Sequence, residues 1–221
     1  MFNAQFERLA DWATSEVFRD ELQAARERFF GATGEVHEED AAFESRMSAF
    51  SEYYLFDYVL GLDHQGRRPV ERFLEEQGET LTTEDRAILR GLCNTRNGLF
   101  EVRKLRDSDL RVRDLLTGED LEVHERRRLA GVEKGDLVQT RLVPFREHLI
   151  FGRAFIYHPR EVRRLLLKTA KRRRKAGELA EPRDRERFLA LLARTVLNLE
   201  RQRGRNLAPP NPTKIYGMAL E

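Results

Sequence analysis

The spacing of apolar residues changes twice along this chain of 221 residues, and that change restricts the fold more than any other feature. Up to about residue 95, apolar side chains recur every three or four positions, which is the period of one face of an α-helix. Between Asn97 and Tyr157 they alternate with polar side chains, as in a β-strand, and after Pro159 the helical period returns. The sequence therefore predicts an α+β protein with helices on both sides of a β-structured middle.

Four helices are predicted in the N-terminal region, over residues 3–30, 39–60, 69–77 and 83–93. Glycines follow the first helix, a proline opens the third, and Thr82 stands where it can cap the fourth. The residues from Tyr53 to Leu60 are apolar nearly all round the second helix. Such a helix is buried on several sides, so we expect this segment at the centre of the N-terminal core.

Five strands are predicted in the middle of the chain, over residues 99–105, 110–116, 121–125, 137–143 and 149–157. An antiparallel sheet of this size loses its exposed edges when it closes on itself. We therefore expect a small five-stranded barrel of the SH3-like or OB-like kind. The residues expected on its inner or shared face are Phe100, Val102, Leu110, Val112, Val138, Thr140 and Leu142.

Two further helices are predicted after the strands, over residues 159–176 and 182–203, each opened by a proline. The prolines at 209, 210 and 212 cannot continue a helix, so we expect an extended, proline-rich tail. The predicted organisation is an acidic helical region (1–95), a small barrel (96–158), a basic helical region (159–205) and the tail (206–221).

Charge is divided unevenly along the chain, although the formal net charge is only +2. Residues 1–95 contain 10 basic and 20 acidic side chains, whereas residues 159–221 contain 17 basic and 7 acidic ones. Such asymmetry is typical of a chain that presents a charged surface to a partner. Two interpretations stay open: the basic end contacts an external partner, or the two ends face each other within the fold.

The helix predicted over residues 159–176 contains most of the basic residues that follow the barrel. Helical spacing places six of them along one side, opposite Val162, Leu165, Leu166 and Thr169. These candidate nucleic-acid-binding residues are Arg160, Arg164, Lys168, Lys171, Arg172 and Lys175. The stripe is expected to follow a phosphate backbone. Other roles stay open: cations that complement the helix dipole, a solvated face, or internal pairing with the acidic N-terminal helices.

The residues that most often carry catalysis or bind metals form no recognisable pattern. The five histidines are scattered, and none has the spacing of a metal-binding pair. Cys93, the single cysteine, lies near the end of a predicted helix and is expected to pack rather than react. We therefore expect no metal, no cofactor and no catalytic residue.

Asp57 is the carboxylate with the most unusual surroundings, since it stands inside an apolar segment. A charge in such a place is costly unless it is paired or hydrogen-bonded. We expect Asp57 to be buried and to accept hydrogen bonds from an arginine or from a backbone turn such as that around Arg67 and Arg68. The alternative is an acid or base with a raised pKa.

Three parts of the chain together resemble a known group of proteins. They are FSEYYLFDY at 50–58 with RPVERFL at 68–74, LRVRDLLTGE at 110–119, and GDLVQTRLVP at 135–144. Over roughly residues 40–155 the chain resembles uncharacterised bacterial proteins with a helical region and a small barrel, some of which also carry a SEC-C type zinc-binding module. The resemblance bears on fold and hardly on function. No Cys-x-Cys or terminal Cys/His cluster follows the barrel here, so no zinc ligand is carried over.

From these observations we expect a non-enzymatic regulatory or adaptor protein whose barrel and basic helix contact a macromolecule. Nucleic acid is the leading partner class, another protein is the alternative, and an enzyme is the third hypothesis. An enzyme would require a cleft that joins residues such as Asp57 to a histidine. The sequence shows neither a signal peptide pattern nor a membrane-spanning window, and its single cysteine suits a reducing compartment. We therefore expect a cytoplasmic protein with no membrane contact.

Overall fold

The computed structural model describes residues 3–61, 66–106, 109–125, 132–205 and 209–221. The helices in these ranges are α1 (Asn3–Ala13), α2 (Arg19–Thr33), α3 (Phe43–Phe56), α4 (Pro69–Gln77), α5 (Thr83–Leu92), α6 (Arg163–Lys175), α7 (Pro182–Arg205) and α8 (Pro212–Leu220). The strands are β1 (Arg96–Arg106), β2 (Asp109–Asp114), β3 (Asp120–His124), β4 (Leu137–Phe145) and β5 (His148–His158). The predicted α+β class is confirmed. None of the helices described is long and apolar enough to cross a membrane.

The first predicted helix is divided into two, so the prediction of one continuous helix is wrong. α1 ends at Ala13, and a short 3-10 turn precedes α2. The hydroxyl of Thr14 donates to the Ala10 carbonyl (2.9 Å) and that of Ser15 to the Trp12 carbonyl (2.8 Å). Side-chain hydroxyls that bond nearby carbonyls offer the backbone an alternative to the helical ladder, and the chain turns here.

The five strands form one antiparallel sheet in the order β3-β2-β1-β4-β5. Its curved inner face is filled by Phe100, Val102, Leu110, Val112, Val123, Val138, Leu142 and Phe151. Thr140 is buried as well, and its hydroxyl donates to the Ala154 carbonyl (2.7 Å). All seven side chains predicted for the inner or shared face are therefore buried. On β1 the alternate positions Leu99 and Glu101 lie on the outer face, as the period of two requires.

The predicted closure of the sheet is wrong. β3 and β5 are its two edges, and no ladder joins them among the residues described. The two strands nevertheless lie close together, and the rings of His124 and His148 stack between them with their centroids 4.9 Å apart. β3 has only five residues, and β5 carries a bulge where its register with β4 shifts. A bulge bends its strand, and here the bent strand is covered by α3 instead of being paired with β3.

Side chains of α3 take up the backbone groups of β5 at this bulge. Glu52 Oε1 accepts hydrogen bonds from the backbone N–H groups of Arg153 (2.5 Å) and Ala154 (3.4 Å). The hydroxyl of Ser45 donates to the Phe155 carbonyl. A buried strand edge needs such partners, so α3 completes the sheet where the ladder stops.

Two apolar cores hold the helices against the sheet. The first combines α1 to α5 with Val143, Phe145 and Ile150 at the end of the β4–β5 hairpin. The second packs α6, α7 and α8 against outward side chains of the sheet, among them Leu99 and Leu137. α7 belongs to both cores, because Leu197 lies in the first and its neighbours lie in the second. The sheet and α7 therefore both connect the N-terminal helices with the C-terminal ones.

The C-terminal residues form a helix rather than the predicted extended tail. Asn211 caps α8, since its side chain accepts a hydrogen bond from the Lys214 N–H (3.2 Å). Pro212 occupies the first turn, where a missing N–H costs nothing. Tyr216 is fully buried, and its hydroxyl lies 2.8 Å from Nδ1 of the buried His158. The last of the three prolines therefore starts α8 instead of preventing a helix.

We predict that Gly152→Ala destabilises the protein by about 1–3 kcal/mol. An added Cβ would lie 2.4 Å from Glu52 Oε1 and 3.1 Å from the Arg141 Cβ, so the joint between α3 and β5 must shift. The matched control is Gly31→Ala in α2, where an added Cβ meets nothing within 4 Å. That change should stabilise the protein by roughly 0.5–1 kcal/mol. Urea unfolding measures both, and equal effects would contradict the proposed crowding.

We predict that His158 makes the protein less stable as the pH falls. Burial lowers the pKa of His158 from 6.5 to about 3 in the folded state. The unfolded chain therefore takes up a proton first, and stability present above pH 6.5 is lost progressively towards pH 3. His158→Gln should remove up to about 1.4 kcal/mol per pH unit of this dependence. Urea unfolding between pH 7 and 4 tests it, with His37→Gln at an exposed position as the control; an unchanged slope in His158→Gln would refute it.

Candidate functional site

The basic helix α6 is anchored by one apolar side. Val162, in the 3-10 turn before the helix, and Leu166 are fully buried in the C-terminal core. Thr169 and Ala170 are buried one turn further along. This burial fixes the rotation of the helix about its axis, so the opposite side is directed to solvent. All six of the predicted nucleic-acid-binding residues are exposed: Arg160, Arg164, Lys168, Lys171, Arg172 and Lys175.

Arg160 differs from the other five because it is tied to the sheet. Its Nε donates to Asp136 Oδ1 (2.8 Å) and its Nη2 to Glu133 Oε2 (2.7 Å). The hydrogen bonds that Arg160 donates to Asp136 and Glu133 raise its pKa above the ordinary value. Both carboxylates lie in the turn before β4, not in the acidic N-terminal helices. The side chain is therefore partly neutralised by the sheet.

The remaining five cations have no ion pair and no hydrogen bond within the part of the chain that the structure describes. They are Arg164, Lys168, Lys171, Arg172 and Lys175, and we call them the α6 stripe. Three other arginines near or on the same helix are held by neighbours. Arg163 bonds Glu101 on β1, Arg174 donates to the Leu115 carbonyl (3.0 Å), and Arg173 lies 3.8 Å from Glu178. The helix thus carries arginines that contact neighbouring parts of the fold and, on its exposed side, the cations of the α6 stripe.

The acidic N-terminal region finds its positive partners elsewhere. Arg201 of α7 donates to both oxygens of Asp40 (2.7 and 3.0 Å), and this bonding lowers the pKa of Asp40 to about 2. Arg146 at the end of β4 pairs with Glu84 of α5 (2.6 Å). Internal pairing between the chain's two ends therefore exists, but it runs through α7 and the sheet. Among the residues described, it does not involve the α6 stripe.

Asp57 has an arginine partner, although not near the turn that the sequence suggested. Arg141 Nη1 donates to Asp57 Oδ1 (3.0 Å), and Nη2 bonds Oδ2. Arg68 instead donates to Glu71 and to the carbonyls of Phe56 and Cys93. The prediction of a polar partner is confirmed, and the one that placed it at Arg67 and Arg68 is wrong. Asp57 is partly buried, with 23% of its side chain exposed.

Arg141 is the residue that sequence reasoning missed. Only 2% of its surface is exposed, and besides Asp57 it donates to the Thr95 hydroxyl (2.8 Å) and lies 3.4 Å from Glu52. Burial alone would lower the pKa of Arg141, but Asp57 and Glu52 raise it. Burial also raises the pKa of Glu52, against the opposing charge of Arg141. The signal available in the sequence was a single charged residue, between Thr140 and Leu142, in a predicted strand that is otherwise uncharged.

Asp57, Glu52 and Arg141 line a cleft of about 480 Å³ between α2, α3, α7 and the sheet. No histidine is found among the described residues that line it. The pairing of Asp57 with a histidine that the enzyme hypothesis named is therefore not found among these residues. Cys93 is half-buried, and burial raises the pKa of its thiol to about 11. In the ranges that the structure covers, no group of three or more His, Cys, Asp and Glu side chains is placed to hold a metal ion.

The fold and the site define an α+β protein in which an open five-stranded sheet carries a basic helix on its outer side. The chain belongs to a family of unknown function, DUF7986, whose family model matches residues 8–207. No curated protein and no solved structure matches the chain. The match extends from α1 to the end of α7, so it includes the sheet, the cleft and α6.

We predict that Asp57→Ala lowers the free energy of unfolding by about 1–3 kcal/mol, because Arg141 keeps its charge while losing two hydrogen bonds. Asp120→Ala is the control. Asp120 forms a similar two-bond pair with Arg113 (2.7 and 2.9 Å), but at an exposed site, and its loss should leave the melting temperature nearly unchanged. Thermal melting compares the variants. A fully stable Asp57→Ala protein would contradict the structural role and indicate a functional one.

Proposed function

We propose that this protein is a non-enzymatic regulatory or adaptor protein that contacts nucleic acid through the α6 stripe. The observation that carries the proposal is the absence of any ion pair to these five exposed cations within the described residues. Cations that serve the fold are expected to meet carboxylates or carbonyls, as Arg160, Arg163 and Arg174 do. The stripe is left for an external anion.

The geometry of the stripe suits a phosphate backbone. Arg164 and Lys175 are eleven positions apart, so the five cations extend over about 17 Å of helix. Duplex DNA carries roughly ten phosphate charges over that length. Both partners are therefore linear arrays of charge, and side chains as long as lysine and arginine can each reach a phosphate. Contacts of this kind position a protein without reading the bases.

We also propose a cellular compartment, a group of related proteins and a role for the sheet. The protein acts in the cytoplasm, as its single cysteine suggests. It is related to the uncharacterised bacterial proteins that combine a helical region with a small β-domain, some of which carry a SEC-C type zinc-binding module. The sheet contributes by holding α6 through Glu101 and Asp136. A protein partner with an acidic surface is the alternative that the experiment below must exclude.

We predict that the protein binds generic RNA or DNA with an affinity that falls steeply as salt rises. Five phosphate contacts correspond to a slope of about −4.5 in log K against log salt for duplex DNA. Replacing Lys171, Arg172 and Lys175 with glutamate should weaken binding by at least tenfold, uniformly across sequences. Fluorescence anisotropy at low and moderate salt measures the affinity, and a melting curve of the same variant should match that of the wild type.

The control is the triple variant in which Arg8, Arg19 and Arg90 become glutamate. These arginines are exposed on the N-terminal helices, and the change in net charge is the same. The control should bind nucleic acid nearly as well as the wild type. Absence of binding at low salt, together with a destabilised α6 variant, would show that the stripe serves the fold. Absence of binding with an intact melting curve would favour the acidic protein partner.

A further inference from the structure

The cleft between α3 and α7 contains a buried arginine that no carboxylate neutralises by a hydrogen bond. Arg46 of α3 is only 2% exposed and lines the cleft. Its Nη2 donates to the Thr33 carbonyl (2.6 Å), whereas Nε and Nη1 have no partner among the residues described. Burial lowers the pKa of Arg46 to about 10, so the side chain still carries its charge at neutral pH. Unpaired buried donors of a charged group are costly, and no hydrogen bond within the described fold satisfies Nε or Nη1.

The acidic groups around Arg46 are engaged elsewhere or are not bonded to it. Asp57 and Glu52 face Arg141, and Asp40 pairs with Arg201. Glu200 is the nearby carboxylate that stabilises the charge of Arg46, but the structure shows no hydrogen bond between the two. Burial raises the pKa of Glu200 above its ordinary value. The guanidinium of Arg46 therefore has one backbone carbonyl and no hydrogen-bonded carboxylate within the described structure.

The rest of the cleft has the features of a small-molecule site. The Oε1 atom of Gln139, a residue only 7% exposed, also has no partner in the described structure. The rings of Phe29 and Tyr53 lie 5.2 Å apart at 37° and form an apolar wall. Arg28 and Arg183 add exposed positive charge among the lining residues. Apolar and charged side chains both line the cleft, the carboxylates of Glu52, Asp57 and Glu186 among them, and its volume of a few hundred Å³ is typical of ligand pockets.

We propose that this cleft binds a small organic anion. Its carboxylate or phosphate group accepts hydrogen bonds from Nε or Nη1 of Arg46, and a donor of the same molecule meets Gln139. Its flat, apolar body lies along Phe29 and Tyr53. The volume of about 480 Å³ suits a molecule of this size, and the burial of Arg46 keeps a folded macromolecule from reaching it. The proposal does not depend on the nucleic-acid function of α6.

Anilinonaphthalene sulfonate is a suitable first probe, because it is an aromatic anion whose fluorescence rises on binding in an apolar site. We expect a single saturable site in the wild type. Phenyl phosphate and benzoate should displace the probe, whereas benzyl alcohol, which has the same ring but no charge, should require at least tenfold higher concentration. The stronger of the two anionic competitors identifies whether a phosphate or a carboxylate is preferred.

Two variants test the role of Arg46 and of the cavity. Arg46→Met keeps a similar volume without the charge, so probe affinity should fall at least tenfold while the melting temperature stays equal or rises. Ala190→Phe, at another lining position on α7, should weaken probe binding by filling the space. Arg90→Met removes an exposed arginine outside the cleft and should leave both quantities unchanged.

The outcomes separate a ligand site from a structural one. Loss of probe affinity in both cleft variants, with retained stability in Arg46→Met, supports the proposal. Wild-type affinity in both variants overturns it, as does equal displacement by benzyl alcohol and the two anions. A lower melting temperature of Arg46→Met with unchanged affinity shows that Arg46 serves only the fold. If Arg46→Met does not fold, Ala190→Phe alone decides, and unaltered binding there refutes the site.

Discussion

The buried guanidinium of Arg141 joins the helical part of the molecule to the sheet. Moving such a charge out of water costs several kcal/mol, so its acceptors must stay in place together. They come from three places: Asp57 follows α3, Thr95 precedes β1, and Glu52 lies on α3 itself. Glu52 also accepts the N–H groups of the β5 bulge. One network therefore fixes both the docking of α3 and the open edge of the sheet.

The fold pairs many of the unevenly distributed charges of the chain and leaves others, the α6 stripe among them, without a partner in the described residues. Acidic side chains of the N-terminal region meet arginines from β4 and α7, such as Arg201. Carboxylates on the outer side of the sheet, such as Glu101, bind the inward arginines of α6. The outward α6 stripe is left without such partners among the residues described. A surface of this kind favours an external polyanion, which is the basis of the proposed function.

The cleft is interpreted as a binding site because the two buried arginines that line it differ in their partners. Arg141 is faced by two carboxylates and a hydroxyl, which is how a protein stabilises a buried cation. Arg46, about as deeply buried, has a single backbone carbonyl for its guanidinium. The difference lies in the groups that surround them and not in their burial. A bound anion would accept hydrogen bonds from Arg46 and neutralise its charge, as Asp57 does for Arg141.

The sequence by itself determined the class of the fold, the position of each strand, and the exposed side of α6. The spacing of apolar residues and the residues that begin or end a helix are features of neighbouring positions. For this reason the bounds predicted for α4 agree with the structure to the residue. The sequence did not determine the partner of Asp57, which lies 84 positions away, the open sheet, or the helix α8. Only the tertiary structure decided which of the many arginines are neutralised. A local pattern records which side of an element is apolar, but it does not record which distant charges the fold brings within hydrogen-bond distance.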